Sequence, residues 1–384
     1  MTTLHDIALL RLAAQRVAGP GFATAADAVR WLTAVQAQDY PGAVTSIALR
    51  TESRTRQSVE AALNTGDVVR SWPMRGTLHF VLAEDLPWML DLTTTRLIAG
   101  AASRRTQLGL DLPTIERARQ VAMDALAGGR QLRRNALLAF WDEAGLLTVK
   151  QRSYHFIWHL AQTGTLCYGP VRDVEQQLVL LDEWVTRPRH PEREEALAEW
   201  ALRYFHSHGP ATVKDFAWWT KLTAADVKTG LAIARHQLER LDVDGVEYFM
   251  HPETMALLDS CRNRAQGVFL SPASTNTCWA TRIAARRCPL SSPSASSQET
   301  MACSSRPSLP TARSSAPESE PVAALHRPCT PHRSHHFRAR FTRRFHSATA
   351  PFRDQRAGAT ASMLAMVKSR WELRRWHQES SHLP

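Results

Sequence analysis

The sequence predicts a mainly α-helical fold with short β-hairpins, arranged as tandem winged helix-turn-helix modules and followed by a disordered tail. Apolar residues recur at helical spacing through residues 1–272, and turns rich in Gly, Pro and Asp separate these stretches. Short alternating stretches follow some of the helices, and the clearest pair flanks Asp244-Gly245, a dipeptide that favours a two-residue hairpin turn. Three helices followed by a β-hairpin is the order of a winged helix.

Residues 191–272 carry the clearest of these patterns and are predicted to form the third module. Thr212 is followed three residues later by Asp215, which matches a capping box at the start of its second helix. The Trp-rich stretch in that helix is interpreted as core rather than as a platform for base stacking. The helices predicted for this module are Glu195–His208, Ala211–Trp219 and a third that follows a Thr223 cap and runs to about Leu241.

Residues 1–110 and 111–190 are predicted to repeat the same order as the first and second modules. Predicted for the first module are helices over Asp6–Val17, Ala25–Gln36 and Ser58–Thr65, then extended chain over Val68–Trp72 and Gly76–Val81. Predicted for the second module are helices over Thr114–Ala127, Leu132–Ala144 and Gln151–Gln162, then a strand over Thr163–Gly169. The third helix of the second module, with Arg152 and His155, occupies the position of a recognition helix. Helical repeats of other kinds remain an alternative.

The basic charge of the chain is concentrated in its last 114 residues. Of the 47 Lys and Arg residues, 17 lie in residues 271–384, together with only 6 of the 36 acidic residues. Residues 1–270 are therefore balanced, and their bulk charge does not indicate nucleic acid binding. No apolar run approaches the roughly 20 residues of a membrane span, and the N-terminus lacks the pattern of a signal peptide. We expect a cytoplasmic protein without a membrane partner.

Residues 273–384 differ from the rest in composition. They are rich in Ser, Pro and Arg and lack apolar periodicity, which predicts a disordered tail. Back-translating residues 274–283 with GC-rich codons and reading one base earlier gives Asp-Glu-Tyr-Leu-Leu-Gly-Tyr-Pro-Asp. The same shift turns two further stretches of the tail into protein-like text. This supports the hypothesis of a frameshift near Ala273, natural or introduced in sequencing, while a basic tail that grips phosphates is the alternative.

Few residues in the body of the chain form a recognisable chemical motif. There is no phosphate-binding glycine loop, no paired Cys-x-x-Cys and no nucleophile elbow. His155 and His159 share a helix face, but no third ligand accompanies them, so packing or phosphate contact is favoured over a metal. We therefore predict neither a metal site nor a cofactor.

Two glutamines in residues 35–42 (Val-Gln-Ala-Gln-Asp-Tyr-Pro-Gly) stand out as a candidate site. Within a helix, Gln36 and Gln38 would point roughly 200° apart, so they could act on one atom only where the helix breaks. The Pro41-Gly42 dipeptide is the predicted position of that break. Without such a break, the two glutamines are interpreted as solvated polar residues at a helix end.

Three segments of the chain resemble the winged helix DNA-binding domain-containing family, which includes the AlkZ/YcaQ-like DNA glycosylases. They are residues 34–39 (Ala-Val-Gln-Ala-Gln-Asp), 69–79 (Val-Arg-Ser-Trp-Pro-Met-Arg-Gly-Thr-Leu-His) and 84–86 (Glu-Asp-Leu). The resemblance covers residues 5–272, and the shifted-frame text of the tail is similar to the family's C-terminal region. It implies three tandem winged helices around a concave DNA-binding surface.

The resemblance also implies a site and an activity. The family's catalytic Gln-x-Gln pair falls on Gln36 and Gln38, and the implied activity is monofunctional hydrolysis of the N-glycosidic bond of alkylated or crosslinked purines. Arg70 and Arg75 are predicted phosphate contacts, and His79 is predicted to contact phosphate or the lesion strand, or else to pair with a neighbouring strand residue. Arg152 and His155 are further predicted DNA contacts.

The predicted binding partner follows from this resemblance, and two other interpretations of the chain compete with it. The predicted partner is double-stranded DNA, alkylated or crosslinked, bound by a monomer associated with the nucleoid. A winged-helix regulator without catalysis is one alternative. An inactive remnant of a frameshifted glycosylase gene is another, since loss of the family's C-terminal region would leave the third module without its cover.

Overall fold

The computed structural model describes residues 2–149 and 151–267. These residues form a mainly helical protein with two antiparallel sheets, which confirms the predicted fold class. Within them we find no helix that combines the length and apolar content needed to cross a bilayer. The predicted tail over residues 273–384, and the frameshift hypothesis attached to it, lie outside the described residues.

The first module follows the winged-helix order of helix, short strand, two helices and a hairpin. A preceding helix, α1, covers Leu4–Ala14. The elements of the module are α2 (Ala25–Leu32), β1 (Val35–Gln36), α3 (Tyr40–Ala48), α4 (Arg56–Asn64), β2 (Val68–Met74) and β3 (Thr77–Leu82). The short strand β1 pairs antiparallel with β3, the second strand of the hairpin.

The second module repeats this order after two connecting helices, α5 (Leu86–Gly100) and α6 (Ala102–Gln107). Its elements are α7 (Leu112–Leu126), β4 (Leu132–Arg133), α8 (Arg134–Glu143), α9 (Arg152–Gln162), β5 (Leu166–Arg172) and β6 (Glu175–Leu180). Strand β4 pairs with β6 as β1 pairs with β3. The residues of β4, predicted as the start of a helix, are therefore extended.

The third module begins after the short helix α10 (Leu181–Trp184). Its elements are α11 (Arg193–His208), α12 (Val213–Thr220), α13 (Ala224–Ala234), β7 (Glu239–Val243) and β8 (Val246–Met250), and α14 (Glu253–Ala265) follows them. The capping box of Thr212 and Asp215 is present as predicted. The hairpin turn is also where predicted, with φ of 54° at Asp244 and 73° at Gly245. Helix α13 ends earlier than predicted, because residues from Glu239 onward pair as a strand.

The hairpins of the first two modules join into one six-stranded sheet. Its strand order is β1-β3-β2-β5-β6-β4, and the junction between β2 and β5 pairs Arg70 with Tyr168. The two short strands therefore lie at opposite edges of a shared sheet. The module boundaries at residues 110 and 190 remain a prediction, since the sheet crosses the first of them.

One apolar cluster connects this sheet to the third module. Val69 and Val81 of the sheet belong to the same buried cluster as Trp88 of α5 and Trp200 of α11. Phe216 and Trp219 of α12 also belong to it, which places the Trp-rich stretch partly in the core, as expected. The site carried by β1 and β3 is thus supported by packing from two modules.

A buried carboxylate fixes the start of α5 against α11. Asp85 is fully buried and accepts hydrogen bonds from the Trp88 indole at 2.9 Å, from Arg189 at 2.7 Å and from Arg203 at 2.5 Å. A buried charge is tolerated only where it is paired and hydrogen-bonded, which these three donors provide. The network therefore holds α11 in one position relative to the six-stranded sheet.

Candidate active site

The Gln-x-Gln segment is extended and not helical. Helix α2 ends at Leu32, where Thr33 has φ of 67°, and Val35–Gln36 then forms the strand β1. The prediction of a helix through Gln36 is therefore wrong, and so is the predicted break at Pro41-Gly42. Those two residues lie in the first turn of α3, where a proline is tolerated because its missing N–H has no helical partner to lose.

Strand β1 and the bend that follows it place both glutamines along the edge of the sheet beside β3. In the strand, side chains at successive positions point to opposite faces. Burial alternates accordingly: Val35 and Ala37 are fully buried, while Gln36 and Gln38 are half-buried. The backbone N–H of Ala37 donates to the carbonyl of Leu78 at 2.7 Å, which extends the pairing with β3 past Gln36.

The two glutamines differ in their hydrogen bonds. Oε1 of Gln38 accepts a hydrogen bond from the backbone N–H of Leu78 at 3.2 Å. Oε1 of Gln36 is buried and has no hydrogen-bond partner among the described residues. Gln38 therefore fastens the segment to the edge of the sheet, whereas Gln36 keeps an acceptor available.

Gln36 belongs to a row of three residues that face the same side of the sheet. Gln36 on β1 is paired with His79 on β3, and His79 is paired with Ser71 on β2. Directly opposed residues of antiparallel strands have Cβ atoms about 4.5–5.5 Å apart. Each member has a buried polar atom without a partner in the described part of the chain: Oε1 of Gln36, Nε2 of His79 and Oγ of Ser71. We call Gln36, His79 and Ser71 the polar row.

His79 presents a hydrogen-bond acceptor to this row. Its Nδ1 lies 2.8 Å from the carbonyl oxygen of Thr77, which can only accept, so Nδ1 carries the proton. Burial and the nearby positive charge of Arg75 together lower the pKa of His79 to about 3. The imidazole is therefore neutral at physiological pH, with a lone pair on Nε2.

The predicted contact between His79 and DNA does not fit the structure. The side chain is only 1% exposed, and Val69 and Val81 on the same face of the sheet pack in the apolar cluster that contains Trp88 and Trp200. The alternative that it pairs with a neighbouring strand residue describes its position better. His79 lies beneath Gln36 and can act on the site only through that residue or a water molecule.

Arg70 supports the Gln-x-Gln segment from the opposite face of the sheet. It donates to the carbonyl of Ala37 at 3.0 Å and to Oε1 of Gln176 at 2.9 Å. Its guanidinium lies 5.5 Å from the ring centroid of Tyr40 and 5.6 Å from that of Tyr168. Burial lowers the pKa of Arg70 to about 10, which leaves it charged at neutral pH. These contacts assign Arg70 to positioning Ala37, in place of the predicted phosphate contact.

Arg75 lies at the tip of the first hairpin and reaches the third module. It has φ of 60° in the turn between β2 and β3, and its guanidinium lies 4.8 Å from the ring centroid of Trp218. The ammonium of Lys221 lies 5.9 Å from the same ring. Two cations thus flank one half-buried indole, and a role for Arg75 in contacting DNA stays a prediction.

Helix α9 does not present the face that a recognition helix would need. Most of its residues are buried, and Arg152 is engaged with the carbonyls of Leu108, Gly109 and Leu147. His155 is half-buried, and burial next to Arg104 and Arg105 lowers its pKa to about 4. The structure therefore gives Arg152 a structural role and does not support the recognition-helix interpretation.

Several residues of the site carried no signal in the sequence. Gln176 lies more than a hundred residues from the glutamines and belongs to no motif that would mark it, and Ser71, although it lies in the 69–79 segment, was not singled out there. Only the strand register brings Ser71 next to His79, and only the pairing of β2 with β5 and of β5 with β6 brings Gln176 near Arg70.

The fold of the described residues is that of tandem winged helices, and comparison with known proteins identifies their family. The model of the AlkZ-like DNA glycosylase family matches residues 29–273. The chain therefore belongs to the AlkZ-like DNA glycosylase family, and the resemblance seen in the sequence is confirmed. An interstrand DNA cross-link repair glycosylase from Streptomyces sahachiroi is 24% identical over 253 residues, which cover 62% of this chain and 67% of that protein.

A solved structure supports the same fold. The Streptomyces sahachiroi DNA glycosylase AlkZ is similar with a TM-score of 0.56 and 23% sequence identity. The match covers 68% of this chain and 72% of that one. At this identity the likeness speaks for the fold alone.

Proposed function

We propose that this chain hydrolyses the N-glycosidic bond of alkylated purines in double-stranded DNA, with Gln36 and Gln38 at the reacting centre. Family membership and the Gln-x-Gln segment on β1 support this proposal. The extension to purines joined in interstrand crosslinks rests on the relative from Streptomyces sahachiroi, whose name states that activity.

The chemistry requires little acid catalysis. A purine alkylated at N7 is cationic, and when the bond from C1′ breaks its electron pair stays on the base and neutralises that charge. The base is therefore a good leaving group without protonation. What the protein must supply is a water molecule held at C1′ and an environment that tolerates a developing positive sugar.

Gln36 and His79 are suited to hold that water. Oε1 of Gln36 and Nε2 of His79 are both acceptors, so a water between them would donate one hydrogen to each. Its oxygen lone pairs would then remain free to attack C1′, and the released proton would pass to solvent. A neutral pair of acceptors avoids both a buried negative charge and repulsion of the cationic base. His79 is thus a positioning residue, and Gln36 is the residue that meets the substrate.

The strongest support for this proposal is Oε1 of Gln36, which is buried and has no hydrogen-bond partner among the described residues. Leaving a buried acceptor without a partner costs on the order of 1–3 kcal/mol, and most buried polar groups avoid it. His79 and Ser71 in the same row have the same deficit. A water that donates to Gln36 and His79 would also accept from the Ser71 hydroxyl and keep one lone pair for C1′, which favours a functional role for the row over a packing defect.

The proposal is tested by measuring base release from a duplex oligonucleotide that contains 7-methylguanine. We expect the wild-type chain to release the base, and Gln36→Ala to lose most of this activity while still binding the duplex. Gln120→Ala is the matched control, because Gln120 is an exposed glutamine of α7 that donates only to Asp124. A folded protein that binds the duplex and releases no base would be the non-catalytic regulator and would overturn the proposal.

A further inference from the structure

Two histidines and a glutamate lie close together in the third module, at the C-terminal end of α11 and the junction between β8 and α14. His206 lies in the last turn of α11, and Glu253 is the first residue of α14. His251 occupies the short junction between β8 and α14. One nitrogen of each histidine and one oxygen of Glu253 all lie within 4.8 Å of one another.

The individual distances are close to those of a metal site. Nε2 of His206 lies 3.2 Å from Oε2 of Glu253, and Nδ1 of His251 lies 3.8 Å from the same oxygen. Ligand atoms placed 2.0–2.2 Å from a tetrahedral zinc are about 3.4 Å apart. The side chain of Glu253 is 65% exposed, so its carboxylate is free to rotate and make up the difference.

Both histidines direct a ring nitrogen into this cluster. Nδ1 of His251 accepts a hydrogen bond from the backbone N–H of Glu253 at 3.3 Å, and an ion bound at this nitrogen would replace that hydrogen bond. The two imidazole rings are stacked, with centroids 3.9 Å apart and planes 28° from parallel. Nε2 of His206 donates a hydrogen bond to Oε2 of Glu253 at 3.2 Å, so an ion bound through Nε2 would displace this proton to Nδ1 or to solvent.

The geometry points to a binding site for a zinc-class divalent ion formed by His206, His251 and Glu253. Two imidazole nitrogens and one carboxylate oxygen form a donor set that zinc accepts, with one position left for water. Imidazole ligands disfavour magnesium and calcium, which prefer oxygen. The ion would connect the end of α11 to the start of α14.

The surroundings of His206 hold its ring in place and admit water. The indole of Trp31 packs against the ring at a centroid distance of 4.2 Å. Arg16 lies over Trp31, 4.5 Å from its centroid, and its positive charge opposes a cation at the site. We therefore expect weaker binding than in a buried zinc site. His206 also lines a cleft of about 440 Å³ together with Phe22, Asp27, Arg30, Trp31 and Arg203.

The test is metal binding by the full chain after removal of metals with a chelator. Zinc titration by calorimetry and cobalt absorption spectra are compared between wild type, His206→Asn and Glu253→Gln. We expect each variant to lose one binding step or weaken it by roughly tenfold or more, and to lose the wild-type rise in melting temperature with zinc. Glu253→Gln keeps the fold intact, because Glu253 is largely exposed and keeps its size.

His236→Asn is the matched control. His236 is an exposed histidine of the same module, and its Nδ1 contacts only the carbonyl of Ile233. The sequence beyond residue 267 carries further His and Cys residues, so differences between variants count and the total number of bound ions does not. Zinc binding that is identical in wild type, His206→Asn and Glu253→Gln, or absent from wild type, would overturn the site.

Discussion

Gln36 and His79 lie directly opposite each other on β1 and β3, and each has a buried polar atom that no described residue satisfies. Oε1 of Gln36 is an acceptor, and Nε2 of His79 is also an acceptor because the Thr77 carbonyl keeps the proton of this histidine on Nδ1. Two facing acceptors need a donor between them, and water is the donor that the proposed hydrolysis consumes. The edge strand of the first module thus brings the catalytic candidate and its support into one row.

Replacing His79 tests whether the row positions that water. His79→Phe keeps an aromatic ring but removes the Nε2 acceptor, and we expect the single-turnover rate of 7-methylguanine release to fall roughly tenfold to a hundredfold. Binding of the duplex should not change, since His79 is buried. His79→Gln, which retains an acceptor, should recover part of the rate. Full activity in His79→Phe would remove His79 from the mechanism.

The pH profile provides a second readout for the same residue. Because the pKa of His79 is lowered to about 3, it stays neutral throughout the range from pH 5 to pH 8. Over that range we expect the excision rates of wild type and His79→Gln to depend on pH in the same way. A step that is lost with this substitution would show that His79 titrates and acts as a proton acceptor.

The different hydrogen bonds of the two glutamines predict different effects on stability. Gln38→Ala leaves the Leu78 N–H without its acceptor, and we expect the free energy of unfolding to fall by about 1 kcal/mol. Gln36→Ala removes an acceptor that has no partner, so stability should be unchanged or slightly higher. Urea denaturation of both variants checks this order. A larger loss in Gln36→Ala than in Gln38→Ala would contradict it.

Buried neutral histidines make the fold sensitive to acid. His208 is fully buried and stacks on Tyr204, and burial together with the charge of Arg50 lowers its pKa to about 3. The unfolded chain takes up this proton near pH 6.5, so the contribution of His208 is complete above that pH and is lost as the pH falls. At pH 5 the loss is about 2 kcal/mol.

His208→Phe keeps the ring stacking but removes the titrating group. We expect its free energy of unfolding to decline less steeply than that of wild type between pH 7 and pH 5. His236→Asn, an exposed histidine of the same module, should follow the wild-type slope. Equal slopes in wild type and His208→Phe would show that His208 does not contribute.

Replacing Arg75 tests whether the first hairpin contacts DNA. Its position over Trp218, at the point where the first module meets the third, suits a phosphate contact. We expect Arg75→Gln to weaken duplex binding several-fold and to reduce the slope of log affinity against log salt by about one. Arg130→Gln, at an exposed arginine that bonds to its own loop, serves as control. An unchanged salt slope in Arg75→Gln would argue against the contact.

Local rules predicted the parts of the fold that local chemistry determines. The Asp244-Gly245 turn and the Thr212 capping box depend on backbone conformations and hydrogen bonds within a few residues, and both were predicted. The strand β1 was missed, because two residues are too few for a period and the apolar pattern of α2 runs on through them. Helix α2 ends at Leu32, directly before Thr33, whose positive φ has no signal in the residue type.

The candidate site, like the fold, was predicted from the sequence only in part. The Gln-x-Gln segment was recognised from its resemblance to a family, but the burial of His79 and its place beside Gln36 depend on strand register. The cluster of His206, His251 and Glu253 joins residues more than forty positions apart. Such neighbours come together only through tertiary packing, which no local pattern records.

Single-turnover release of 7-methylguanine from a duplex, measured for wild type, Gln36→Ala and Gln120→Ala at equal fractions of bound DNA, tests the central claim most directly. We expect wild type and Gln120→Ala to release the base at the same rate, and Gln36→Ala to be slower by about a hundredfold. Release by Gln36→Ala at the wild-type rate, or no release by a folded wild-type chain that binds the duplex, would contradict the account.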